Sequence, residues 1–253
     1  MKKTNLLLFI LLSVNLSAQE YFQQETNYTI DVTLDDENHT LKGMEYIDYA
    51  NNSPNDLEFL WFHIWPNAYK NNTTALAKQK LEDGSTSIHY ATEEEKGYIN
   101  GLDFKVNGEK VKWDYHQEQI DICKLFLNKP LRAGQSIRIS TPFFVKIPNA
   151  KFSRLGHVEQ SYMITQWYPK PAVYDKDGWH PMPYLDQGEF YSEFGSFDVS
   201  ITLPRNYTVG ATGDLQNKGE YVRLDEISEI TDTITGFGSD MSFPESDKKT
   251  KTI

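Results

Sequence analysis

The chain has 253 residues with 25 Lys and Arg against 36 Asp and Glu. Its formal net charge of −11 excludes a nucleic-acid partner, because phosphate-backbone binding depends on counterion release to clustered cations, and no such cluster is present. The single cysteine excludes an internal disulfide framework, and a 13% aromatic share suits strands and rigid contact surfaces better than helical bundles.

Met1-Lys2-Lys3, the apolar run Leu6 to Leu12 and the small-residue end Ser17-Ala18-Gln19 have the layout of a secretory signal, so residues 1–18 are read as a signal peptide. Leu16 is larger than is usual three places before a cut, and the competing reading is a buried N-terminal strand. The run is too short to span a bilayer as a helix, so no membrane span is expected. An exported protein, periplasmic or extracellular, follows.

Period-two alternation is the main signal along the first half. Tyr28, Ile30, Val32 and Leu34 share one face of a strand that ends at Asp35-Asp36-Glu37-Asn38, and Leu41 to Tyr49 reads as its hairpin partner. Leu57 to Trp65 is apolar on both faces, which predicts a central strand covered on both sides. Thr73 to Leu81 reads as a short helix and Glu82 to Lys96 as a solvated loop. Ile99 to Val106 predicts a strand, and Asn107-Gly108 a two-residue hairpin returning through Val111 and Trp113.

Ile122 to Leu127, with Cys123 as a buried small hydrophobe, and Ile137 to Val145 continue the alternation as a meander. Further on, Phe197 to Leu203 and the short run Tyr207 to Thr212 predict two more strands. Gly236-Phe237-Gly238 lacks a third glycine and a following helix, so it is not a phosphate loop. The fold class is mainly β, a multi-stranded antiparallel sheet or sandwich.

Pro169 to Tyr191 has no periodicity but carries Pro169, Pro171, Pro181 and Pro183 with Tyr174, Trp179, Tyr184 and Phe190. Rings argue against disorder, and prolines restrict the backbone, so this segment reads as an ordered loop forming one wall of a cleft.

The residues offer little chemistry of their own. No two of the histidines His39, His63, His89, His116, His157 and His180 stand four apart, and neither His-Glu-x-x-His nor Gly-x-Ser-x-Gly occurs. Asp175-Lys176-Asp177-Gly178 reads as an aspartate-capped turn rather than a calcium loop. His63 reads as a core histidine, while His180 suits either a structural hydrogen bond or a substrate contact. Spacing assigns no acid–base pair among Asp186, Glu189 and Glu193. No catalytic or metal-binding residue and no cofactor are expected within the chain.

Three stretches carry a family likeness. Phe59 to Tyr69, Ile164-Thr165-Gln166-Trp167-Tyr168-Pro169 through Asp175, and Gly178-Trp179-His180 through Tyr191 to Pro204 resemble the N-terminal β domain of exported bacterial M1 metallopeptidases, relatives of aminopeptidase N and leukotriene hydrolase. Tyr207 to Gly213 fits the same pattern.

The resemblance implies a saddle-like β domain over residues 19–253 that helps to wall the cleft of a separate catalytic domain of the same polypeptide. That domain would hold zinc, and a peptide would be the substrate. The resemblance also implies that Gln166, Trp167, Tyr168 and Tyr174 line the substrate side of the wall. Competing with this is an aromatic cluster that fills the interface between domains. The zinc ligands of the family do not occur here, and the chain ends at Ile253 on a strand-like run, so a product truncated before the catalytic domain is expected. An exported β-sandwich module for glycans, stacked on Trp179 and Tyr184, or for proteins, is the alternative function.

Overall fold

The computed structural model describes residues 21–217, 219 and 249–253; the signal-peptide reading of residues 1–18 and the Gly236-Phe237-Gly238 motif lie outside them. Strands β1 (Glu25–Asp35) and β2 (Thr40–Ala50) form the expected hairpin, with Glu25 opposite Ala50 and Asp35 opposite Thr40. Its turn is closed by the Asp35 carboxylate, which accepts from the amides of Glu37 at 3.1 Å and Asn38 at 3.0 Å. Tyr28, Ile30 and Val32 point inward as the alternation requires.

Strand β3 (Leu57–His63) stops short of Trp65, because Pro66 has no amide for a ladder and instead opens a 3-10 turn over Trp65–Tyr69. The expectation that this strand is covered on both sides is corrected too. Leu60 and Phe62 are buried, whereas Phe59 and Trp61 on the opposite face are only half-buried. The Lys124 ammonium lies 3.5 Å from the Phe59 ring centroid, a cation–π contact that lets an apolar face stand at the surface. Helix α1 (Ala75–Glu82) begins where the Thr74 hydroxyl accepts from the Ala77 amide at 3.2 Å.

The strand expected over Ile99 to Val106 is two pieces, β4 (Tyr98–Asn100) and β5 (Lys105–Val106), interrupted at Gly101 where φ is 73°. Asn107 and Gly108, at φ 51° and 85°, make the predicted tight turn into β6 (Glu109–Lys110). The chain then crosses to a second sheet as β7 (Trp113–Tyr115) and β8 (Ile122–Leu131), and returns to the first as β9 (Ser136–Lys146). Short pairs follow: β10 (Gly156–Val158) with β11 (Ser161–Met163), then β12 (Lys170–Pro171), and β13 (Tyr174–Asp175) with β14 (Gly178–Trp179). Strands β15 (Phe197–Pro204) and β16 (Thr250–Thr252) complete the described chain. No strand forms over Tyr207 to Thr212: past Pro204 the backbone turns, the Tyr207 amide donating to the Pro204 carbonyl at 3.2 Å.

The larger sheet runs β16-β15-β1-β2-β9-β5-β6, with β4 also pairing β9, and the smaller runs β12-β3-β8-β7. This is not the simple meander expected. Among the described strands pairing is antiparallel except for β1 with β15, which are parallel from Tyr28 opposite Phe197 to Thr33 opposite Thr202; an isolated parallel bridge also joins Asn149 to His157. One core lies between the sheets, built from Ile30, Ile47, Phe143 and Val145 on one side and Leu60, Phe62, Cys123 and Leu125 on the other. Cys123 is the buried hydrophobe expected, its thiol pushed well above the usual range by burial. A second core beside it gathers Trp65, Tyr69, Leu76, Phe152, Leu155 and Tyr184.

Candidate substrate-facing wall

The residues singled out from sequence fall into two groups on the segment that follows β11. Gln166 adopts φ 54°, a left-handed conformation uncommon outside glycine, and this turns the chain before Pro169 sends it extended into β12. That short strand sits on the edge of the smaller sheet, Lys170 opposite His63 and Pro171 opposite Phe62; an edge tolerates the missing proline amide. Trp167 packs on Phe143 at 5.7 Å between ring centroids and on Tyr168 at 5.3 Å. Tyr168 meets the edge of Tyr28 at 5.4 Å, and Tyr28 is itself stacked on Phe197 at 4.5 Å. Gln166, Trp167 and Tyr168 therefore form a half-buried row laid over the larger core.

Tyr174 belongs to the second group. It lies on the β13–β14 hairpin, 4.9 Å from the Trp179 ring, and its hydroxyl accepts from Asn55 Nδ2 at 3.1 Å. The turn of this hairpin is the aspartate-capped one read from sequence, Asp175 accepting from the Asp177 amide at 2.8 Å, with Gly178 at φ 101°. His180 Nε2 stands 2.8 Å from Asp175 Oδ1, and the Tyr191 hydroxyl donates to Asp175 Oδ2 at 3.1 Å. This geometry gives His180 the structural hydrogen bond, one of its two readings.

Polar anchors hold the irregular segment down. His63 Nε2 accepts from the Met182 amide at 3.1 Å, and Trp65 Nε1 donates to the Met182 carbonyl at 3.0 Å. Burial, aided by the charge of Lys170, pushes the His63 imidazole down to about 3, so this core histidine is neutral. Asp121 accepts from the Tyr184 amide at 2.7 Å, and burial lifts its carboxyl to about 6. From α1, Gln79 Oε1 accepts from the amides of Asp186 at 2.8 Å and Gln187 at 3.0 Å, while Lys80 pairs with the Asp186 carboxylate at 2.7 Å.

Three ionisable groups stand near these residues, and of them only Glu193 had been a candidate from the sequence. Lys170 is buried; its ammonium donates to Gln166 Oε1 and lies 4.1 Å from the Trp65 ring, and burial pushes it down to about 7. Glu45, on the inner face of β2, is 0% exposed, and neither carboxylate oxygen has a hydrogen-bond partner. Burial raises its pKa well above the usual range, and its field acts on Tyr28 and Tyr168. Glu193, lifted by burial to about 7, lies near Tyr49, Asp175 and His180. Asp186 is committed to Lys80 and Ser153, and Glu189 is exposed.

The zinc implied by the family resemblance does not fit these residues. Among the described residues no group of three or more His, Cys, Asp and Glu is placed to hold a metal ion. His39 and His157 stack on each other at 3.6 Å, and His63 stacks on Trp65 at 4.4 Å. No helix among the described residues is long and apolar enough to cross a membrane. Of the two rings offered for sugar stacking, Tyr184 is 0% exposed and sealed among Trp65, Tyr69 and Phe190, which removes it from that role. Trp179 is half-buried between Phe59 and Tyr174.

No protein-family model matches the chain, and no curated protein does. Among solved structures it is similar to the M1 zinc metallopeptidase from Deinococcus radiodurans, at 12% identity and a TM-score of 0.42 over 77% of this chain and 36% of that one. It is also similar to a mutant two-domain M1 zinc metallopeptidase bound to L-tryptophan, at 13% identity and a TM-score of 0.42, with the same coverage of 77% and 36%. The chain thus spans 36% of the length of the solved structures it matches.

Proposed function

We propose that this chain is the noncatalytic N-terminal β domain of an exported M1-like zinc aminopeptidase, and that Gln166, Trp167, Tyr168 and Tyr174 stand on the substrate side of its cleft wall. The observation that carries the reading is how the segment of strongest resemblance is built. Residues 166–191 have little regular structure, yet they are fixed across the seam of two cores by His63, Trp65, Asp121 and Gln79, with Gln166 to Tyr168 left half-buried. A rigid scaffold that holds a non-repetitive, aromatic surface is the construction that binding walls share.

Water activation by zinc would belong to the partner domain, since metal hydrolysis needs several ligands around one ion. On this reading the chain alone retains no stoichiometric zinc and cleaves no aminoacyl substrate, and the coding sequence downstream of Ile253 carries a His-Glu-x-x-His motif. Chelator-sensitive cleavage by the chain alone, or a downstream sequence without a zinc motif, overturns it. In the longer enzyme Gln166→Ala is expected to lower kcat/KM about tenfold for peptides without acidic side chains, with the thermal midpoint near wild type; an unchanged kcat/KM removes Gln166 from the wall.

A further inference from the structure

Lys170 is 5% exposed, and its surroundings hold no compensating negative charge. Its ammonium touches the neutral carboxamide of Gln166 and the ring faces of Trp65, at 4.1 Å, and Tyr168, at 5.8 Å. From β3 it faces His63, which is neutral; Glu45, itself without a partner, lies beyond Tyr168. Ring faces recover part of the attraction that water would give a cation, and one amide oxygen recovers a little more. A buried ammonium needs a counter-charge to be stable, and removing it from water costs several kcal/mol otherwise.

The half-buried Gln166 therefore places on the ammonium an oxygen with the geometry of a carboxylate oxygen but without its charge. We infer that Lys170 is a carboxylate-recognition point in this wall, where the acidic side chain of a peptide displaces the Gln166 amide oxygen from Lys170 Nζ. The inference rests on the reading that Gln166 faces substrate, and it names the substrate class: peptides carrying Asp or Glu.

Charge balance gives the inference a signature. Burial leaves the free lysine largely neutral above about pH 7, so a carboxylate that binds there draws a proton from solvent. Affinity is full below that pH and falls toward tenfold per pH unit above it.

The test uses the chain itself with N-acetyl-glutamate N-methylamide and its glutamine counterpart, read by the Lys170 side-chain carbon resonance and by calorimetry in two buffers of different ionisation heat. The glutamate compound is expected to bind with proton uptake at pH 8 and to move the Lys170 titration upward, and the glutamine compound to do neither. Gln166→Ala, which removes the internal competitor, is expected to tighten binding several-fold. Gln166→Glu fills the position and is expected to abolish binding while raising the Lys170 titration midpoint.

Equal binding of both compounds, binding that survives in a folded Lys170→Met variant, or weaker binding in Gln166→Ala overturns the inference. Because no hydrolysis is measured, these outcomes are separate from the zinc-motif test of the proposed function.

Discussion

The interior between the two sheets and the seam beneath residues 166–191 are held by different means. Between the sheets, alternate residues of long strands interdigitate, and stability comes from apolar area removed from water. At the seam the backbone has few ladder bonds. Individual polar groups take over, each satisfying an amide or carbonyl that a sheet would otherwise have paired. The first arrangement tolerates change anywhere that keeps the pattern, whereas the second depends on particular side chains.

Substitutions sharpen the contrast. Phe62→Ala opens a cavity against Phe104 in the main core and is expected to cost about 3–5 kcal/mol, seen as a lower urea midpoint for the whole domain. Gln79→Ala leaves the amides of Asp186 and Gln187 without their acceptor, and about 1–2 kcal/mol is expected, confined to the segment. Hydrogen exchange should quicken over residues 182–190 while β1, β2 and β9 keep their protection; a uniform change would show that seam and core unfold as one unit.

The smallest effect is a pH dependence. Lys170 has a folded pKa of about 7, below its ordinary value of 10.5, so the folded state sheds the proton first and the cost of the buried charge is relieved as pH rises above 7. Lys170→Met removes that cost. Its stability relative to wild type should be greater at pH 6 than at pH 8 by about 1 kcal/mol, measured by paired urea titrations; Asp121 and Glu193 titrate nearby but are common to both proteins.

Patterns that obey a period were readable from the residues. Tyr28 to Val32, Leu41 to Tyr49 and the Asn107-Gly108 turn stand where alternation and turn chemistry put them. Phe59 and Trp61 misled because apolar composition does not say which face is open, and a neighbouring lysine covers them instead of a second layer. Tyr207 misled because the chain turns past Pro204, its amide bonding the Pro204 carbonyl while its hydroxyl reaches back to Asp36 and Gln160.

Gln166 to Tyr168 were singled out only through family likeness. Lys170 was overlooked because charge is ordinarily solvated, and its burial depends on Trp65, a hundred residues away in the chain. Glu45 shares the inward phase of Leu41, Ile47 and Tyr49, so its burial was there to be read once the strand was assigned.

The parallel pairing of β1 with β15 also bears on how the protein is made. A chain emerging from a ribosome or translocation pore amino end first presents β1 and β2 long before residue 197 exists, so one edge of β1 stays open until β15 arrives. Closing it joins residues about 170 positions apart, a slow event by the entropy of loop closure. The vulnerable interval of the β1 edge is therefore set by the arrival of β15, and holding chaperones would act most usefully there.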